Sequence, residues 1–396
     1  MNNRQAGESG MRESRTRVSG DRDLRLDFFR GLALWFIFVN HIPANQISWL
    51  TPRNFGLSDA TEIFVFISGY TAAMVYGQTL RQSGLPMAAA QVLHRCWTLY
   101  ATYIILFFAF TAQIAYLARV FDSPLFTEEM GIASYFQDPV TALTQALLLK
   151  FRPANLDVLP LYIVLLLAFP LVLPALRRRP LAVLAGSGAL YLAARLFGWN
   201  LPTHPDGGVW YFNPFAWQFL FVVGATLQHL PDLRAGLLRF RRPVAVAAVV
   251  FLALSLFLVL SWQFAFLHAL LPPWLTEILY PVSKTDLDPL RLAHFFALSY
   301  IVVQVVPPGA AWLRSPLAAP VVACGRQSLH VFCLGVLLSF AAQTVLVHIS
   351  GSLSAQFLVT VLGIAAMVLL ARLLIWYQSA ERARRLQTAT TRNSGA

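Results

Sequence analysis

Residues 27–41 read DFFRGLALWFIFVNH, and residues 59–70 read DATEIFVFISGY. Both are apolar stretches in which a few ionisable side chains recur at helical spacing. Arg30 and His41 are eleven residues apart, which returns them to nearly the same helix face about 16 Å apart along the axis. Asp27 lies on that stripe one turn before Arg30. In the second stretch Asp59, Glu62, Phe66 and Gly69 share a stripe by the i, i+3, i+4 rule. A charge held in a bilayer costs several kcal/mol, so it faces protein or water and marks function. The two stripes are therefore expected to face each other, with His41, Glu62 and Arg30 as the candidate catalytic set.

The chain outside these stretches decides the class. Of 396 residues 57% are hydrophobic and 12% charged, against about 25% charged in soluble domains. That composition indicates an all-α, polytopic membrane bundle. About twenty apolar residues cross a bilayer, and on that measure ten helices are expected, near 27–46, 58–80, 90–118, 157–176, 181–198, 211–230, 243–264, 289–307, 319–347 and 353–377. Residues 1–25 are polar, arginine-rich and without the apolar stretch of a cleavable signal, so they read as a disordered basic cytoplasmic tail. Residues 26–378 form the transmembrane domain and 379–396 a second cytoplasmic tail.

The net charge of +12 comes almost entirely from arginine, with Lys150 and Lys284 the only lysines. The arginines sit in alternate short loops and at the termini: Arg81 and Arg95, Arg177 to Arg179, Arg234 to Arg242, Arg314, and Arg382 to Arg385. This distribution follows the positive-inside rule and places both termini in the cytoplasm. It does not suit a nucleic-acid binder, whose basic residues gather on one soluble face. The cysteines Cys96, Cys324 and Cys333 have no metal spacing, and no H-x-x-x-H, Walker loop or G-x-G-x-x-G occurs. No metal or bound cofactor is expected.

The opposite loops are long and aromatic: 119–156, 198–210 (GWNLPTHPDGGVW) and 265–288 (AFLHALLPPWLTEILYPVSKTDLD). Such loops on one side suggest that a polar ligand is received there. His41, just before Ile42-Pro43, suits a general base that takes a proton from an alcohol, with Glu62 orienting it as a triad carboxylate does. Ser68 and Gly69 suit close helix approach more than nucleophilic catalysis, with Tyr70 lining the site. Asp157, Trp210, Asn213, Trp217 and Gln218 combine tryptophan with polar groups, as sugar sites do; an aromatic belt is the plainer alternative for Trp210. Arg291 and His294 begin a later helix from the same side. Arg30, Arg95 and Arg326 lie towards the cytoplasmic side, where arginine grips phosphate.

Five blocks, RDLRLDFFRGLALWFIFVNHIP, SDATEIFVFISGYTAAMVYG, LDVLPLYIVLLLAFPLVL, FNPFAWQFLFVVG and CGRQSLHVFCLG, resemble the OpgC-type proteins over roughly residues 22–380. These are inner-membrane acyltransferases that succinylate osmoregulated periplasmic glucans. The chain is more distantly similar to the acyltransferase-3 superfamily, whose pattern matches Arg30, His41, Glu62, Ser68, Gly69 and Tyr70. Its late motif is kept at Gly325, Ser328 and Phe332, while Leu329 and Gly335 depart from it. The resemblance implies a transmembrane acyltransferase domain in the bacterial inner membrane. It implies an acyl-CoA donor, succinyl-CoA first among them, held by Arg30, Arg95 and Arg326. A glucan hydroxyl would arrive from the periplasm against His41, Asn213 and Trp217; Ser68, Tyr70, Asp157, Trp210, Gln218, Arg291 and His294 complete the candidate substrate-binding set read from the residues themselves. The competing expectation is an exporter of an amphiphile, with the same residues lining a path and no covalent chemistry.

Overall fold

The computed structural model describes residues 23–230 and 241–394. Among them there is no strand, and the chain folds as fifteen α-helices with short 3-10 turns. Helix α1 (Leu24–Asn40) begins at Asp23, whose side chain accepts from the Arg25 N–H. Helix α2 (Ala60–Val120) is broken at Gly84, which takes a left-handed φ of 80° two residues before Pro86. Three short helices follow, α3 (Leu125–Glu129), α4 (Ala133–Gln137) and α5 (Pro139–Leu147). Then come α6 (Val158–Arg178), α7 (Pro180–Phe197), α8 (Pro214–His229) and α9 (Arg241–Gln263). The later chain forms α10 (Ala265–His268), α11 (Pro273–Leu279), α12 (Pro289–Val305), α13 (Ala319–Arg326), α14 (Ser328–His348) and α15 (Leu353–Ser394).

Six of these, α2, α6, α7, α9, α14 and α15, are long and apolar enough to cross a membrane. The sequence led to an expectation of ten, and the differences have local causes. The 27–46 segment stops at Asn40, with Pro43 beyond it, leaving 17 residues in α1. The 211–230 segment starts only at Pro214, because Asn213 turns its side chain onto the Phe215 N–H as the N-cap. The 58–80 and 90–118 segments run through as one helix with two arms about Gly84. The 319–347 segment is split at Gln327, which leaves helical geometry between α13 and α14. Most of the 1–25 tail, together with Arg234 and Arg239, lies outside the described residues. The 379–396 tail continues α15 as far as Ser394.

Large apolar side chains on the outer faces stay uncovered, Leu171 at 83% and Leu196 at 78% exposure among them. A lipid-facing surface accounts for such faces, and the protein is a membrane protein by this criterion. Inside, α2 packs on α6 and α8, and α1 lies against α2, α13 and α14. Two crossings bring backbones together. A Cβ at Gly69 would run into the Phe221 carbonyl oxygen of α8, and one at Gly224 would run into the Phe66 carbonyl oxygen of α2. Likewise Gly31 of α1 meets the Val321 carbonyl oxygen of α13, and Gly325 meets that of Asp27. Small residues at both positions permit this approach, and it fixes where α1 and α2 stand.

Candidate active site

The first turn of α2 concentrates the charge. Asp59 is its N-cap: the carboxylate accepts the Thr61 N–H at 2.8 Å, while Glu62 turns back to accept the Asp59 N–H at 2.9 Å. This reciprocal capping box satisfies helix-end donors that would otherwise be stranded. It leaves one oxygen of each acid for other partners. Lys284 Nζ lies 2.6 Å from Asp59 Oδ2. Arg291 of α12 donates to Glu62 Oε1 at 2.8 Å through Nε, while its Nη2 lies 2.6 Å from the same oxygen and donates to Asp59 Oδ2 at 3.4 Å. Glu62 is fully buried. Two acids and two cations thus neutralise one another, as buried charge requires. Burial opposes ionisation of Asp59, but the Lys284 and Arg291 charges prevail and hold its carboxyl well below the usual range.

Other contacts hold Lys284 and Arg291 in place. The Trp217 indole N–H reaches the carbonyls of Lys284 and Thr285 at 3.1 and 3.2 Å. Asn213 donates to Trp199 O at 2.7 Å and to Asp286 Oδ1 at 2.9 Å. One turn after Arg291, His294 Nδ1 lies 2.7 Å from Ser58 Oγ, so α12 is tied to the residue preceding the N-cap. Gly56 is required here, because a side chain would enter the His294 ring.

His41 caps α1, its backbone N–H bonded to the carbonyls of Ile37 and Phe38. Its partly buried imidazole lies within the electrostatic reach of Lys284, Asp59 and Arg53. The expected pairing of His41 with Glu62 is not what the structure contains. Both Glu62 oxygens are taken, one by its own helix cap and one by Arg291, and Asp59 is the acid whose charge His41 feels. Nor does Arg30 meet Glu62: its guanidinium donates to Thr71 Oγ1 at 3.0 Å, further down α2. The Arg30 end of the α1 stripe meets α2 at Thr71. Between these levels, Phe66 of the α2 stripe packs on Phe295 of α12, with ring centroids 5.2 Å apart.

The remaining expected residues divide. Ser68 lines a small apolar cavity of about 10 Å³ with Phe64, Tyr162 and Phe221. Tyr70 is partly exposed and lies near Arg25. Trp217 is fully buried. The Gln218 amide is engaged with the Ser187 hydroxyl and carbonyl and with the Phe215 carbonyl. Asn213, Trp217 and Gln218 therefore hold helices and a loop, and stacking of a sugar on Trp217 is excluded by its burial. Asp157 pairs with Arg152 at 2.9 Å, and Arg152 lies 4.1 Å over the Trp210 ring. Burial pushes the Asp157 carboxyl up against the pull of Arg152. Arg326 Nε is 3.6 Å from Asp27 Oδ2, and Arg95 is partly buried near Tyr76 and Cys96. Lys284 was missed as a site residue, although its being one of only two lysines was a usable signal.

No curated protein and no solved structure matches the chain. A family model described as OpgC protein matches residues 22–379. The match takes in α1, the whole charged cluster on α2 and α12, and the apolar part of α15: the chain belongs to the OpgC family.

Proposed function

We propose that the protein is a membrane-embedded O-acyltransferase that moves an acyl group, succinyl first among them, from cytoplasmic acyl-CoA to a hydroxyl of a periplasmic glucan. The observation that carries this reading is His41 at the end of α1, within the electrostatic reach of the Asp59–Lys284 pair. In the proposed step the glucan hydroxyl gives its proton to the His41 imidazole as its oxygen bonds to the thioester carbonyl carbon. The C–S bond then breaks, and the departing thiolate takes the proton back from the imidazolium. The Lys284 ammonium stabilises the negative charge that develops on the carbonyl oxygen. A donor in that role contributes about 3 kcal/mol in enzymes where it has been removed. Arg291 and Glu62 act by fixing the first turn of α2 against α12.

With both termini in the cytoplasm of a bacterial inner membrane, α1 runs outward and His41 faces the periplasmic side, where the glucan arrives. Arg30, Arg95 and Arg326 then stand towards the cytoplasm, suited to the phosphates of the donor. The test is mass spectrometry of periplasmic glucans from cells with and without the gene. Acyl adducts present only with the gene support the reading. Unmodified glucan in both, with altered amounts in the periplasm, favours an exporter.

A further inference from the structure

Between α1, α13 and α15 runs an apolar groove of about 480 Å³, lined by Trp35, Pro320, Val361, Ile364, Val368 and Arg372 among others. Every lining side chain is apolar except Arg372 at one end and the Trp35 indole, which is already bonded to Cys324 Sγ at 3.4 Å. From Val361 to Arg372 α15 advances eleven residues, about 16 Å at 1.5 Å per residue. That is the depth of one leaflet of a hydrocarbon core about 30 Å thick. Arg372 is exposed, and no carboxylate pairs with it among the described residues. It lies near Cys324 of α13, at the end of the bundle where Asp27 meets Arg326.

We propose that this groove is a binding site for one anionic glycerophospholipid, its acyl chain lying along Val361, Ile364 and Val368 and its phosphate on Arg372. The length of the apolar run fits a chain that ends at headgroup level. The exposed Arg372 guanidinium at that level selects a negative headgroup, since a neutral zwitterion gains less from it. A second copy of this chain is a poorer occupant, because a packed apolar interface would bury Arg372 without a partner.

The experiment is native mass spectrometry of the full-length protein, extracted in detergent and exposed to equal amounts of phosphatidylglycerol and phosphatidylcholine of the same chain composition. The site requires retention of one phosphatidylglycerol in preference to phosphatidylcholine. Arg372→Gln should reduce that preference about fivefold, and Arg372→Lys should largely keep it. Ala365 also lines the groove, and Ala365→Trp, which fills it, should remove both lipids while the protein still elutes as a folded species. Equal retention of the two lipids by the unaltered protein would overturn the proposal, as would an undiminished preference in Arg372→Gln. So would a dimer that Ala365→Trp dissociates.

Discussion

Arg291 grips a single oxygen of Glu62 with two nitrogens, Nε at 2.8 Å and Nη2 at 2.6 Å, although the two residues are 229 positions apart in the chain. The pair joins the first turn of α2 to the first turn of α12, and its other members, Asp59 and Lys284, bring in the loop before α12. Removing one partner of such a buried pair costs about 3–5 kcal/mol, because the other charge is left uncompensated. Arg291→Met alone should therefore lower the thermal midpoint in detergent more than the double variant Glu62→Gln, Arg291→Met. A double variant less stable than either single one would mean that the pair is not isolated in this way.

The glycine crossings give a second prediction. Gly69→Ala and Gly325→Ala each push a methyl into a neighbouring backbone carbonyl that cannot turn aside. Each should cost at least the 1–3 kcal/mol of overpacking and reduce the yield of folded protein. Gly186→Ala on α7 meets nothing within 4 Å and should be silent. Fluorescence-detected size exclusion of the three variants compares them directly.

These two relationships mark what was legible in the sequence. The aligned ionisable residues on the first two apolar stretches were visible as periodicity, and so was the use of small residues at Gly69 for close approach. The membrane class followed from composition. The partner of Glu62 was not legible, because Arg291 arrives from a distant helix and a capping box looks like any acid pair until its backbone is seen. Helix ends were misjudged where a cap, Asn213, or a break, Gln327, interrupts an apolar run without changing its hydropathy. Tryptophan and amide residues at 213–218 suggested a sugar site, whereas Asn213 and Trp217 serve to hold the loop that carries Lys284.

That role yields a third prediction. Trp217→Phe keeps an aromatic ring but removes the N–H that reaches the Lys284 and Thr285 carbonyls. A hydrogen bond of this kind contributes about 1 kcal/mol, so the fold should survive. Transfer should fall through displacement of Lys284, with kcat affected more than KM for the glucan. An unchanged kcat would show that the loop is held without the indole.

The Asp59–Lys284 pair also sets an acid limit. The Asp59 carboxyl is held below its ordinary value in the folded protein. Its stabilising contribution is therefore complete above the ordinary carboxylate pKa of about 4 and is lost as the pH falls towards the depressed folded value. Lys284→Gln removes one of the charges responsible, so this variant should unfold at a higher pH than the unaltered protein in an acid titration followed by tryptophan fluorescence. An acid midpoint that stays put would show that Arg291 alone holds Asp59 ionised.

The central claim is that His41 takes the proton of the acceptor hydroxyl. The most direct measurement is acyl transfer from succinyl-CoA to purified glucan by the protein in proteoliposomes, comparing the unaltered chain with His41→Ala. General-base catalysis contributes about 10²–10⁴-fold, so His41→Ala should lose at least a hundredfold in rate while keeping its thermal midpoint. Transfer by a folded His41→Ala protein at the unaltered rate would contradict the account.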